Sequence, residues 1–112
     1  MTEPIFHLVP AGAWERAAEP YAPASLEEEG FIHFSSGAQV PRTAATRFAG
    51  RSDLLLVEVD PSRLEDPVRW EDGDGTGERF PHLYGPLPER AVVDVRPYVA
   101  DQAGRFPDPR AR

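Results

Sequence analysis

The chain has 112 residues, which predicts one domain with a single hydrophobic core. Its 12 basic and 19 acidic residues give a net charge of −7 without a cluster of arginines, so neither nucleic acid nor a membrane surface is an expected partner. Lysine and cysteine are both absent, which excludes Schiff-base chemistry, thiol catalysis, cysteine metal ligands and disulfide bonds.

The first part of the chain predicts two short helical segments between two strands. Residues 5–9, with the sequence IFHLV, form a β-favouring run. The segment AGAWERAAE that follows is rich in helix formers, and Pro20 ends it. Residues 25–30, SLEEEG, have the spacing of a capping box and predict one helical turn that Gly30 closes. That turn leads into FIHFS, which we predict to be the second strand.

The rest of the chain predicts one more helix and three more strands. The helix spans residues 39–48, QVPRTAATRF. The run DLLLVEVD is the most apolar in the chain and predicts a central strand covered on both faces. Two further strands are predicted, VRWED before an acidic, glycine-rich loop and AVVDVRPYV near the end. The segment FPHLYGPLP between them is stiffened by three prolines and is not counted among the five strands.

These elements add up to the α+β class, with about five strands and two or three short helices. Residues 1–100 are predicted to form a single globular domain. Residues 101–112 lack any periodicity and are predicted to be a loosely ordered tail. The first ten residues show no secretory signal and no stretch approaches the ~20 apolar residues of a membrane span, so we expect a soluble cytoplasmic protein.

Three histidines, His7, His33 and His82, each lie inside an apolar β-type run, where an imidazole needs a hydrogen-bond partner. Each could be a satisfied structural histidine, and together they could line one cleft or hold a metal ion. Their separations along the chain carry no metal-site signature, so no metal is expected. The loop at residues 72–77 matches the first half of a calcium-loop spacing, but Leu83 stands where a bidentate glutamate is needed.

Hydroxyl groups and aromatic rings accompany these histidines. Ser35, Ser36 and Tyr84, with an aromatic wall that includes Phe31, have the composition of a small-molecule pocket. The alternative for the two serines is that they cap the helix that begins near Gln39. The sequence leaves both interpretations open.

Taken together, several of these segments resemble the family of small bacterial proteins called domain of unknown function 952. The resemblance covers residues 4–98 and rests on the order and spacing of IFHLV, EGFIHFSSGAQV, DLLLVEVD, RWE and FPHLYGPLPERAVVDV. The resemblance implies a fold similar to that of the ADP-ribosyltransferases, in which a compact split sheet binds NAD in a cleft. No metal is implied.

The resemblance also implies roles for particular residues. His7 matches the first-strand residue that holds a ribose, and GFIHFS matches the strand that shapes the nicotinamide pocket. His82 stands near the place of the glutamate that orients the reacting ribose, whereas Glu71 comes earlier. A neutral imidazole could accept the ribose hydrogen bond, but a protonated one would oppose a developing oxocarbenium cation.

The sequence therefore predicts a domain that binds a small polar ligand, with NAD or a related nucleotide and NAD-dependent ADP-ribosyl transfer as the candidates. The predicted catalytic residues are His82 and His33. The predicted ligand-binding residues are His7, Phe31, Ser35, Ser36, Tyr84 and Glu71. The alternative is a non-catalytic protein-interaction module in which the histidines are structural, with the protein partner left open.

Overall fold

The computed structural model describes residues 3–72 and 75–110. Within this part of the chain there are three α-helices, and they are α1 (Ala11–Arg16), α2 (Ala24–Glu29) and α3 (Val40–Arg47). The same residues form seven strands, which are β1 (Ile5–Pro10), β2 (Ile32–His33), β3 (Ser35–Ser36), β4 (Leu54–Val59), β5 (Val68–Asp72), β6 (Arg79–Leu83) and β7 (Val92–Pro97). None of the helices in the described part of the chain is long and apolar enough to cross a membrane.

The strands form two antiparallel sheets. One has the order β3-β1-β4-β7 and the other the order β2-β6-β5. This arrangement confirms the α+β class with few helices. The described strands exceed the predicted five for two reasons, because one predicted strand divides and another was not recognised.

The strand predicted at FIHFS divides at Phe34. His33 pairs with His82 in the smaller sheet, whereas Ser35 pairs with β1 in the larger one. Phe34 stands between them and its N–H donates to the carbonyl oxygen of Pro81 at 3.0 Å. A segment that alternates as one strand therefore joins both sheets and brings His33 to the place where they meet.

The strand that the sequence did not predict is β6, the middle strand of the smaller sheet. Proline is rare in such a position because it cannot donate to a neighbouring strand. Pro81 is tolerated because β2 pairs only with His82 and Leu83 and ends before it. At Pro81 the strand therefore has a ladder partner on the β5 side alone, at Trp70.

The strand β4 is central, as predicted, and separates two hydrophobic clusters. Val57 and Val59 pack towards the smaller sheet, in a cluster that includes Ile32 and Leu83. Residues on the other face of the larger sheet pack beside α3, in a second cluster made of Phe6, Leu8, Val40, Ala44, Leu54, Leu56 and Tyr98. The larger sheet is therefore covered on both faces, by α3 on one side and by the smaller sheet on the other.

Two predicted helix boundaries differ from the structure. The capping box expected at Ser25 is wrong, because Pro23 is the N-cap of α2 and no side chain caps this helix. The predicted end of α2 is confirmed, since Gly30 adopts the left-handed conformation with a φ of 89°. The first helix ends at Arg16, before the predicted end at Pro20.

The C-terminal segment, predicted to be a loose tail, packs against the larger sheet as far as the structure describes it. The ring of Phe106 stacks on Tyr98, with ring centroids 5.3 Å apart. The Tyr98 hydroxyl donates to the carbonyl oxygen of Pro107, and Nη2 of Arg96 donates to that of Pro109 at 2.6 Å. Single contacts at Phe106, Pro107 and Pro109 hold this segment, and it forms no regular helix or strand. A segment held in this way has no periodic sequence pattern by which it could be recognised. The last two residues of the predicted tail, 111–112, lie outside the described residues.

Candidate functional site

A cleft of about 650 Å³ lies between α3 and the junction of the two sheets. Its apolar walls include Phe6, Leu8, Phe34, Phe48 and Phe80. Polar side chains also reach it, and these include His33, His82, Ser35, Thr43 and Arg47. The cleft thus combines aromatic walls with a few polar groups, as small-molecule sites do.

His82 is a buried polar residue that lines this cleft, with only 2% of its surface exposed. Its Nδ1 lies 3.0 Å from Oε1 of Glu71, and the same oxygen accepts a hydrogen bond of 2.5 Å from the Tyr84 hydroxyl. The ring of Phe31 stacks on the imidazole with centroids 4.0 Å apart. His82 is therefore fixed in position by a carboxylate on one side and an aromatic ring on another.

This geometry also fixes the tautomer of His82. An ionised carboxylate can only accept, so Nδ1 carries the proton and Nε2 of the neutral ring has a free lone pair. The Nε2 atom has no hydrogen-bond partner among the described residues, and no polar side-chain atom among them is buried without a partner. Nε2 of His82 is therefore not fully enclosed, and because His82 lines the cleft, this nitrogen can accept a proton or a hydrogen bond from a ligand there.

The carboxylate of Glu71 is kept ionised by its neighbours. Hydrogen bonds from Tyr84 and then from His82 hold the pKa of Glu71 below its usual range. The same contact with Glu71 raises the pKa of Tyr84. Glu71 lies opposite Phe80 in the β5–β6 pair, so it meets His82 diagonally on the same face of the sheet.

His33 lies directly opposite His82, with ring centroids 5.4 Å apart. Its Nε2 is 2.8 Å from Oε2 of Glu29, and its side chain is 41% exposed. The hydrogen bond from His33 lowers the pKa of Glu29. The cleft therefore has two neighbouring imidazoles, and each is bound to its own carboxylate.

His7 differs from the other two histidines because both of its ring nitrogens are bonded within the protein. Nδ1 lies 2.7 Å from the carbonyl oxygen of His33, so it must donate. Nε2 must then accept, and it does so from the Tyr21 hydroxyl at 2.8 Å. Burial lowers the pKa of His7 to about 4 and raises that of Tyr21 to about 12. His7 lies at the edge of the cleft as a neutral group with no free nitrogen.

The predicted hydroxyl groups lie in two different places. Ser35 lines the cleft, where its Oγ is 3.2 Å from Oγ1 of Thr43. The backbone N–H of Ser36 donates to Oε1 of Gln39 at 2.9 Å, and the Ser36 hydroxyl accepts from the Gln39 N–H at 3.3 Å. Ser36 therefore closes the turn before α3. This role is close to the helix-capping role that the sequence allowed for the two serines.

The remaining predicted ligand-binding residues lie behind the cleft wall. Phe31, Tyr84 and Glu71 contact or orient His82 rather than lining the cleft themselves. Sequence reasoning did not select Arg47 and Thr43, which α3 brings to the cleft. The sequence feature that could have indicated both residues is the predicted helix directly after GFIHFS, which contains them. Arg47 lines the cleft and forms no close salt bridge among the described residues, although its charge interacts with that of Glu29 at longer range.

No three histidine, aspartate or glutamate side chains come together as metal ligands in the described part of the chain. In the acidic loop, Asp72 accepts hydrogen bonds from the N–H groups of Gly75 and Gly77, at 2.8 and 2.7 Å. Asp74, which belongs to the calcium spacing considered above, lies outside the described residues.

The fold and cleft define a small α+β protein with two antiparallel sheets and a candidate ligand site between them. Residues 8–95 match the family described as protein of unknown function, DUF952, and the chain belongs to that family. The crystal structure of protein CC0527 from Caulobacter crescentus is similar, with 34% identity over 93% of both chains and a TM-score of 0.79. A solution NMR structure of CC0527 gives a TM-score of 0.77 at 34% identity, over 91% of this chain and 90% of that one. No curated protein matches the chain.

Proposed function

We propose that the cleft binds a small polar ligand of nucleotide type, with His82 as its acid–base group. The observation that carries this proposal is the free Nε2 of His82, held towards an open cleft by the bond from Nδ1 to Glu71. A purely structural histidine usually has both nitrogens bonded, as His7 does. A buried imidazole with one oriented, unbonded nitrogen is instead the arrangement of a general base.

The size and lining of the cleft favour a ligand with a flat ring and hydroxyl groups. Its volume of about 650 Å³ lies inside the range of roughly 300–1,000 Å³ that is typical of small-molecule sites. Aromatic walls such as Phe34 and Phe80 suit a base or a nicotinamide ring. The hydroxyl groups of Ser35 and Thr43 suit a ribose, and Arg47 suits a phosphate.

Within this proposal, we propose NAD-dependent ADP-ribosyl transfer as the reaction, which is the one that the family resemblance in the sequence implies. In that reaction the bond between ribose C1′ and nicotinamide breaks, nicotinamide leaves, and an acceptor nucleophile bonds to C1′. His82 would take the proton of the acceptor. The roles suggested for His7 and Phe31 change, because His7 has no free nitrogen and Phe31 lies behind His82. Ser35 would contact the ribose in place of His7.

The second candidate function is a non-catalytic interaction module. The bonding of His7 favours it, since this histidine joins Tyr21 to the backbone of His33 inside the core. The two candidates differ at His82 and His33. A ligand site requires their imidazoles to contact the ligand, whereas an interaction module does not.

Thermal-shift measurements against NAD, ADP-ribose, AMP and nicotinamide test the proposal. A ligand at a hundred times its dissociation constant should stabilise the protein by about 2.7 kcal/mol. His82→Gln should bind that ligand more weakly. Glu89→Gln, at a residue that does not line the cleft, is the control and should bind as the wild type does. If none of the four compounds shifts the melting temperature, the nucleotide proposal is wrong and the interaction module is favoured.

A further inference from the structure

The strand β7 forms one edge of the larger sheet. Among the described residues, β7 pairs with β4 alone. Two of its valines are exposed, Val93 by 49% and Val95 by 36%. An edge strand with exposed apolar side chains is a template for pairing with another strand, and natural proteins usually block such edges with charges or prolines.

The hydrogen-bonding pattern shows which backbone groups face outward. The N–H of Tyr98 donates to the carbonyl oxygen of Leu54, so this pair is a hydrogen-bonded one. Hydrogen-bonded pairs recur at every second residue of an antiparallel ladder, which assigns Arg96 and Asp94 to bonds with β4. The backbone groups of Val95 therefore point away from the sheet, towards the free edge, whereas the shift of register at Val93 interrupts this alternation.

The sequence of β7 is complementary to itself when two copies run antiparallel. If two Val95 residues face each other across a two-fold axis, Asp94 of one copy lies opposite Arg96 of the other. Val93 then lies opposite Pro97. The valines share one face and the charged residues the other, so both faces match, and the Asp94–Arg96 contact occurs twice.

The side chain of Arg96 can accept this additional partner. Within one chain its Nη1 donates to Glu58 at 3.1 Å and to Asp94 at 2.6 Å, and its Nη2 donates to the carbonyl oxygen of Pro109. A guanidinium carries five N–H groups, so Nε–H and a second Nη2–H remain for a second carboxylate. The charge pairing between copies therefore needs no existing bond to break.

A groove of about 600 Å³, with acidic side chains such as Glu19 and Glu89 in its lining as well as apolar ones, continues the surface on the valine side of β7. Trp14, Ala17 and Ala18 line it together with Val93 and Val95. A second copy paired along β7 would cover these exposed valines and bring the two grooves side by side. The self-complementary register points to another copy of this chain as the occupant, rather than to an unrelated peptide.

We propose that the protein forms a two-fold symmetric dimer in which β7 pairs antiparallel with β7 of a second copy, centred on Val95. The two four-stranded sheets then become one continuous sheet across the two-fold axis, and the same surface of each copy forms the contact. The pairing has two hydrogen bonds, which join the two Val95 residues to each other. Pro97 has no N–H, so the ladder ends there.

Sedimentation equilibrium over a range of concentrations tests the dimer directly. The wild type should reach twice the chain mass of 12.4 kDa. Val95→Lys places two like charges on the two-fold axis and should raise the dimer dissociation constant at least tenfold. Trp70→Lys is the control, because Trp70 is a 47% exposed apolar residue on β5, the edge of the other sheet. This variant should dimerise as the wild type does.

If Val95→Lys fails to fold, hydrogen exchange of the wild type tests the dimer instead. In the wild type the outward amide of Val95 should exchange more slowly as the protein concentration rises, because only the dimer protects it. A wild type that is monomeric at every concentration would overturn the proposal. So would a dimer that survives Val95→Lys, one that Trp70→Lys dissociates, or fast exchange of the Val95 amide in the dimer.

Discussion

Glu71 and His82 lie diagonally across the paired strands β5 and β6, with Oε1 of the carboxylate 3.0 Å from Nδ1 of the imidazole. This contact determines which nitrogen of His82 carries the proton, because an ionised carboxylate can only accept. It also connects two stretches of sequence separated by the acidic loop. The candidate site therefore depends on the register of this hairpin.

The first prediction tests this contact with Glu71→Gln. The amide can either accept or donate, so the His82 tautomer is no longer fixed. We expect the ¹⁵N spectrum of neutral His82 to change from a single form, protonated at Nδ1, to a mixture. Glu29→Gln is the matched control, since Glu29 contacts His33 instead. An unchanged His82 spectrum in Glu71→Gln would show that another group fixes the ring.

The second prediction is a pH dependence of stability caused by His7. Its folded pKa is lowered from 6.5 to about 4, so between these values the unfolded chain binds a proton that the folded chain does not. Stability should therefore fall as the pH decreases through this window and become independent of this group below about pH 4. The size should be about 2–4 kcal/mol, since one pKa unit corresponds to about 1.4 kcal/mol.

Urea unfolding at several pH values measures this effect. His7→Gln should be less stable than the wild type at pH 7.5, because the bonds to Tyr21 and to the His33 carbonyl are disturbed. It should also lose most of the difference between pH 7.5 and pH 5. If His7→Gln keeps the full pH dependence, other groups are its cause.

Features of this fold that depend on local sequence could be predicted, whereas features that depend on contacts between distant segments could not. The central position of β4 follows from its composition, because a strand buried on both faces needs a continuous apolar run. The division of FIHFS at Phe34 could not be predicted, since it depends on two different partner strands. Likewise, Glu71 and His82 are brought together only by the β5–β6 register, which no local pattern specifies.

The third prediction concerns the C-terminal segment. Because Phe106 is partly buried and stacks on Tyr98, Phe106→Ala should cost about 1–3 kcal/mol, less than for a fully buried phenylalanine. Denaturant unfolding measures the cost. Arg105→Ala is the control, since this neighbouring side chain is exposed and should contribute little. A cost below about 0.5 kcal/mol for Phe106→Ala would support the original prediction of a loose tail.

The last prediction asks whether His33 serves the cleft or the core, and it uses His33→Gln. The ring of His33 is partly exposed, and its hydrogen bond is to Glu29, a residue that is itself exposed. Such a pair contributes about 0–1 kcal/mol, so the melting temperature should fall by only a few degrees. If His33 contacts the ligand, the same variant should bind the compound found in the thermal-shift screen about tenfold more weakly, the loss of one hydrogen bond of about 1.4 kcal/mol. His7→Gln provides the opposite pattern, lower stability with unchanged affinity once its folded fraction is accounted for. His33→Gln with that same pattern would assign His33 to the core and remove it from the proposed site.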